Sequence, residues 1–314
     1  MRYFAVVVDN TNKVVVLETS GWQKVSQFDR AQMLGTSTLA FLTNSEIATL
    51  AEQGRSPWAF AVHDAATGRL DRHVQRPPEF SQAVTNAIVV TSDGRYAAVL
   101  VGIRETAILI FNAVTGDFIG RLATPSGSWS RRLVTGPADQ LATDINFFGI
   151  AARATVRKEI QTFDVTSNER ARVLQGHVPL VGAIAWSPEG RYIASGAAGL
   201  TKENASTWIR DNDPIRIWDA STGSLVRSIS GFHDGVAALA WNASGTLLAS
   251  VGGKDERERG YALRLWTLTK PEPIFDYRVP GTEPVAPLSF DPRSGRLILG
   301  WRGDVYVYDV VGLS

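Results

Sequence analysis

The 314-residue chain is 44% hydrophobic and 20% charged, a globular balance that excludes a disordered protein. Its 32 basic and 31 acidic side chains leave a formal charge of +1, so no global field draws it toward nucleic acid or an anionic membrane. With no cysteine, disulfides and thiolate chemistry are excluded, and a zinc site would have to be built from the four histidines and carboxylates.

In chain order, the first run, Arg2 to Val8, is apolar for about five residues before Asp9, too short for the apolar region of a secretory signal. No run of about 18 apolar residues follows anywhere. The expectation is a soluble, cytoplasmic protein with no membrane partner. Arg2 to Val8, Lys13 to Thr19 and Trp22 to Phe28 read as three strands. Next comes Ala61 to Gly68 (AVHDAATG), whose ending recurs as Ile108 to Gly116 (ILIFNAVTG) and Ile215 to Gly223 (IRIWDASTG). Val16 to Gly21, Thr162 to Thr166, Leu265 to Thr267 and Val307 to Asp309 are weaker copies. Seven endings spaced by about 42 to 55 residues match the period of a four-stranded propeller blade.

A second pattern precedes most endings: Thr91 to Val99, Ser187 to Ser195, Asn242 to Ser250 and Asp291 to Leu299. Each reads as a tight turn followed by a strand, because Pro, Asp and Gly supply the dihedrals that a reversal needs. Helical periodicity is absent, so the chain reads as all-β, and radial repetition protects the sheet edges of such a chain.

Gly176-His177, the turn from Ser187 to Gly190, Ser195 and Trp218-Asp219 together resemble the WD-repeat signature. The next repeat, with His233, Ser250 and Trp266, resembles it less fully. The resemblance implies a single β-propeller domain over residues 1–314 and a hydrogen-bonded brace inside a blade. The brace would comprise His177, Ser195 and Trp218, with Asp211 or Asp213 as its acid, and then His233, Ser250 and Trp266. It also implies that loops joining outer to inner strands and second to third strands share one face.

Met1 to Val8 aligns with Gly94 to Val101, so the chain begins at a second strand. The expected architecture has seven blades, the first lacking its inner strand. The last, built from Val285 to Phe290, Arg296 to Gly300 and Val305 to Val310, lacks its outer one. Both strands would come from preceding residues or from a partner adding strands to an open edge. The alternative is a six-bladed ring with an N-terminal hairpin, in which Trp22 to Phe28 closes the last blade.

Insertions concentrate in second-to-third connections: Gly102 to Thr106, Asp144 to Arg157, Gly196 to Asp213 and Gly252 to Gly260. They carry Phe147, Phe148, Trp208 and Arg210, with Trp129 in a nearby outer-to-inner loop. Aromatic and arginine side chains are enriched at interface hot spots, so a protein partner is expected here. Arg131, Arg132, Arg153, Arg157 and Lys158 form the clearest basic cluster, with Glu105, Asp144 and Glu159 as candidate neutralisers. Lys254 to Arg259 alternates in sign and reads as a solvated loop. No G-x-S-x-G elbow, H-E-x-x-H or phosphate loop occurs, so no catalytic residue, metal or cofactor is expected. The function expected is a non-enzymatic interaction scaffold. Two alternatives stay open, a lactonase-like propeller hydrolase and a nucleic-acid-associated factor, the latter disfavoured by the lack of stacked aromatic platforms.

Overall fold

The computed structural model describes residues 2–8, 13–29, 39–50, 57–102, 106–147, 158–177, 180–199, 201–202, 208–209, 214–253, 260–279, 287–301 and 304–310. Two compact units divide the chain, residues 1–145 with 162–171, and residues 146–161 with 172–314.

The first unit opens with β1 (Tyr3–Val8), β2 (Lys13–Glu18) and β3 (Gln23–Asp29) in the order β1-β2-β3. The second sheet is β4 (Leu39–Phe41), β5 (Glu46–Leu50), β6 (Trp58–Asp64) and β7 (Leu70–Gln75). After a 3-10 turn at Pro78–Phe80 comes the third, β8 (Val84–Val90), β9 (Tyr96–Gly102), β10 (Thr106–Asn112) and β11 (Phe118–Ala123). The fourth has β12 (Ser128–Trp129), β13 (Leu133–Thr135), β14 (Gln140–Phe147), β15 (Lys158–Asp164) and β16 (Glu169–Gln175), with β12 and β13 both on β14. The boundary between the units falls within this sheet.

The second unit continues with β17 (Val181–Trp186), β18 (Tyr192–Ala197), a separate hairpin of β19 (Thr201–Lys202) and β20 (Trp208–Ile209), then β21 (Ile215–Asp219) and β22 (Leu225–Ile229). The fifth sheet has the order β17-β18-β21-β22. The sixth is β23 (Val236–Trp241), β24 (Leu247–Gly253), β25 (Tyr261–Thr267) and β26 (Phe275–Val279). The seventh is β27 (Leu288–Phe290), β28 (Leu297–Trp301) and β29 (Asp304–Tyr308).

These seven antiparallel sheets are the blades of a β-propeller. β3 pairs with β2 along Lys13–Asp29 to Glu18–Gln23, so Trp22 to Phe28 belongs to the first sheet. That pairing removes the six-bladed alternative. The first and last sheets each have three described strands, as expected.

Strand composition follows position in the blade. Inner and middle strands have both faces covered and read as continuous apolar runs: Ala97, Ala98, Val99 and Leu100 of β9 and Ile108 and Leu109 of β10 are all fully buried. Outer strands cover one face only. In β7, β11, β22 and β26 an exposed apolar residue begins the strand and a buried one follows four positions later: Leu70 and Val74, Phe118 and Leu122, Leu225 and Ile229, Phe275 and Val279.

The third-to-fourth-strand turn explains the repeated endings. Asp219 Oδ1 accepts the backbone N–H of Ser221 and Thr222, and Gly223 closes the turn at φ 77°. The Ser221 hydroxyl, donating to the same oxygen at 2.6 Å, and those backbone bonds favour the ionised carboxylate and bring its pKa down to about 2. Asp64 with Thr67 and Asp164 with Ser167 repeat the arrangement, and Asn112 does so with Val114 and Thr115. In the first blade the closing position is Trp22, at φ 57°, whose N–H bonds Glu18 O at 2.7 Å as Gly223 N–H bonds Asp219 O at 2.8 Å. A bulky residue in that region is strained, and Trp22 rests edge-on against Phe4 at 5.8 Å.

Candidate functional site

The fifth blade brings His177, Ser195 and Trp218 together. Trp218 Nε1 donates to Ser195 Oγ at 2.7 Å, and His177 Nε2 lies 2.6 Å from the same oxygen. Arg216 Nη1 is 2.7 Å from His177 Nδ1. A guanidinium can only donate, so this contact selects the tautomer with its proton on Nε2, and Ser195 Oγ accepts two bonds. Ser195 is fully buried, so the serine–histidine pair is not an accessible nucleophile. Asp211 and Asp213 lie outside the described residues.

In the sixth blade Trp266 Nε1 donates to Ser250 Oγ at 2.7 Å, but His233 does not join them: it is exposed. Buried Phe232 takes the histidine's place, with Arg264 over its ring at 4.6 Å. The register follows from Gly176 and Gly231, each with positive φ and each beside the edge of its blade's indole, Trp218 or Trp266. The residue after that glycine enters the brace. Aligning the repeats on glycine rather than histidine would have found it.

The second blade carries a third version. His63 stands where Trp218 stands, paired with Ile47 as Trp218 is with Ile193, and its Nε2 is 3.4 Å from Thr49 Oγ1. Phe28 stacks on the imidazole at 4.2 Å. Burial holds the His63 pKa below its ordinary 6.5, as does nearby His73, while the Gly68 carbonyl and Asp71 oppose the shift. Because the folded value is depressed, the unfolded chain binds the proton first. Stability is present above about pH 6.5 and is lost as pH falls through that value toward the folded pKa. We expect His63→Phe to reduce the fall in urea midpoint between pH 7.5 and 5.5. Asp219, titrating at about 2, stays ionised in that window. An unchanged fall would show that His63 is not its source.

The expected partner-binding residues are distributed as follows. In the first unit, the inner strand of the fourth blade is interrupted between β12 and β13, at Ser130, Arg131 and Arg132. Asp144, on β14 and 1% exposed, accepts the N–H of Arg131 at 2.9 Å and of Arg132 at 2.6 Å on Oδ1. Arg131 is exposed and lies over the half-buried Trp129 ring, 4.8 Å from its centroid. Arg132 is half-buried, its pKa lowered mainly by burial and also by Arg131, against the opposing pull of Asp144.

In the second unit Phe147 ends β14, half-buried. Trp208 pairs with Lys202 in the β19–β20 hairpin. Phe148, Arg153, Arg157 and Arg210 lie outside the described residues, as do Glu105 and the run Lys254 to Arg259. Two readings of the sequence need correction. Asp144 and Asn146 belong to a strand and are buried, because β14 continues to Phe147 before the insertion begins. Lys158 is also buried, at 6% exposure in β15, so it adds nothing to a basic surface.

The family described as "WD domain, G-beta repeat" matches residues 168–201 and 223–257. These two stretches are WD repeats. Each matched stretch holds an outer strand followed by the first two strands of the next blade, and together they include His177, Ser195, Phe232 and Ser250. The WD-repeat propeller is 27% identical over 111 residues to "Probable cytosolic iron-sulfur protein assembly protein 1" of Kluyveromyces lactis, covering 35% of this chain and 32% of that protein. It is 34% identical over 93 residues to "Cilia- and flagella-associated protein 52" of Chlamydomonas reinhardtii, covering 30% of this chain and 13% of that one. The matches thus span about a third and an eighth of these relatives. No helix among the described residues is long and apolar enough to cross a membrane.

Proposed function

We propose that this WD-repeat propeller is a non-enzymatic, cytoplasmic scaffold that binds protein partners through its outer-to-inner and second-to-third connections. The observation carrying this reading is the inner strand of the fourth blade, where a buried carboxylate fixes a strand break and an arginine is presented on a tryptophan. Trp and Arg in such settings are the residues from which interface energy comes. The β19–β20 hairpin, an insertion in the fifth blade carrying Trp208, supports it. The names of the two relatives, an assembly protein and an associated protein, agree with it. A partner strand would add to the first or seventh blade, which have three described strands each.

The test is affinity capture with the whole chain and with Trp129→Ala, Phe148→Ala and Trp208→Ala. Each variant would first be checked for wild-type melting. A partner retained by the wild type in a saturable manner should be lost at least tenfold from one or more of them. Retention unchanged by all three would reject these loops as the interface.

A further inference from the structure

We infer that Arg131 is the receptor for one acidic side chain, Asp or Glu, of a protein partner. The inference rests on the scaffold reading and specifies the chemistry of the segment bound.

Asp144 lies against two consecutive arginines, and its Oδ1 accepts their backbone N–H groups. The carboxylate therefore holds the main chain of the break. Arg132 is half-buried with its Nε buried and without a partner. Among the described residues Arg131 has no carboxylate within ion-pair distance. Of the two guanidinium groups at the break among the described residues, Arg131 is the exposed one.

Arg131 Cζ lies over the Trp129 ring, 4.8 Å from its centroid, and a guanidinium seated on an aromatic face still offers a carboxylate its planar fork of N–H donors. Beside it, Ser130 Oγ and Thr85 Oγ1 are buried without partners. The residues carrying them are 1% and 2% exposed, and Asn86 Nδ2 donates to Ser130 O at 3.2 Å, joining β8 to the break. Among the described residues of the cluster Arg131 is the one exposed cation, with Arg132 half-buried and Lys158 buried; this suits one carboxylate better than a phosphate backbone, which needs a row of cations.

The experiment is selection of a random dodecapeptide phage library on the whole chain, in wild type, Arg131→Glu and Arg131→Lys. All three should melt alike, because the side chain is exposed. Wild type should enrich Asp and Glu at one position. Arg131→Glu should lose that enrichment and select Lys or Arg there. Arg131→Lys should bind the wild-type peptides at least tenfold more weakly. Acidic enrichment that survives Arg131→Glu, or peptides selected without an acidic position, would overturn the inference. If those peptides were still lost on Trp208→Ala or Phe148→Ala, the scaffold reading would stand without it. Failure to select any peptide would overturn both. Tight binding of a random 30-nucleotide single strand at 0.15 M salt, abolished by Arg131→Glu, would assign the site to nucleic acid instead.

Discussion

Gly235→Ala is expected to cost about 4 kcal/mol or more and to leave little folded protein at moderate urea, because the new methyl has no space. Gly235 has φ +80°, and a Cβ there would overlap the backbone N of Gly199 and stand 2.7 Å from Ala197 O. Both neighbours are main chain of the fifth blade and cannot rotate away. Gly94→Ala is the control. Its φ is +75°, nearly the same, but nothing lies within 4 Å of the added methyl. It should cost only the left-handed penalty, roughly 1–2 kcal/mol. Urea midpoints of the two variants separate the backbone conformation from the clash, and equal losses would refute the crowding argument.

Trp218→Ala should rank next, at about 3–5 kcal/mol, from the cavity left by a side chain that is 1% exposed. Trp218→Phe should cost roughly 1–2 kcal/mol, because the ring is kept while Ser195 loses a donor. The third blade shows the smaller ring to be compatible with the position: Phe111 occupies it fully buried, paired with Ala97. Trp266→Phe should resemble Trp218→Phe, since Ser250 Oγ accepts the same indole N–H. The check is urea unfolding followed by tryptophan fluorescence and by circular dichroism. A near-neutral Trp218→Ala would mean that the brace adds nothing to blade stability.

The propeller was legible because its turns are local. Asp219, Thr222 and Gly223 specify a reversal within five residues, and Asp64, Asn112 and Asp164 mark the same reversal in the second, third and fourth blades, where the other repeat residues have changed. Even Asn168, at φ 58°, fits, since asparagine tolerates the left-handed region. The assignment of His233 failed because residue type was followed instead of register. Two residues after Gly231 is outside the brace, however suitable the imidazole. Trp129 and Arg131 were chosen from composition, but their arrangement was not readable. It depends on Asp144, 12 to 13 residues further along the chain, which read as the start of a loop. A carboxylate buried by tertiary packing carries no sequence mark that separates it from a solvated one.

The glycines shared by the fifth and sixth blades also bear on how the protein opens. Gly182 would meet Val236 O at 2.6 Å if it carried a Cβ, and Gly196 would meet Val236 Cβ at 2.5 Å. Ala198 and Gly235 form a bridge, and Gly253 N–H bonds Gly235 O at 3.0 Å. With main chain against main chain, neither sheet can separate from the other by a side-chain rotation. A fluctuation that exposes the amides of β18 is therefore expected to expose those of β23 in the same event, so that hydrogen exchange in the two blades should rise together.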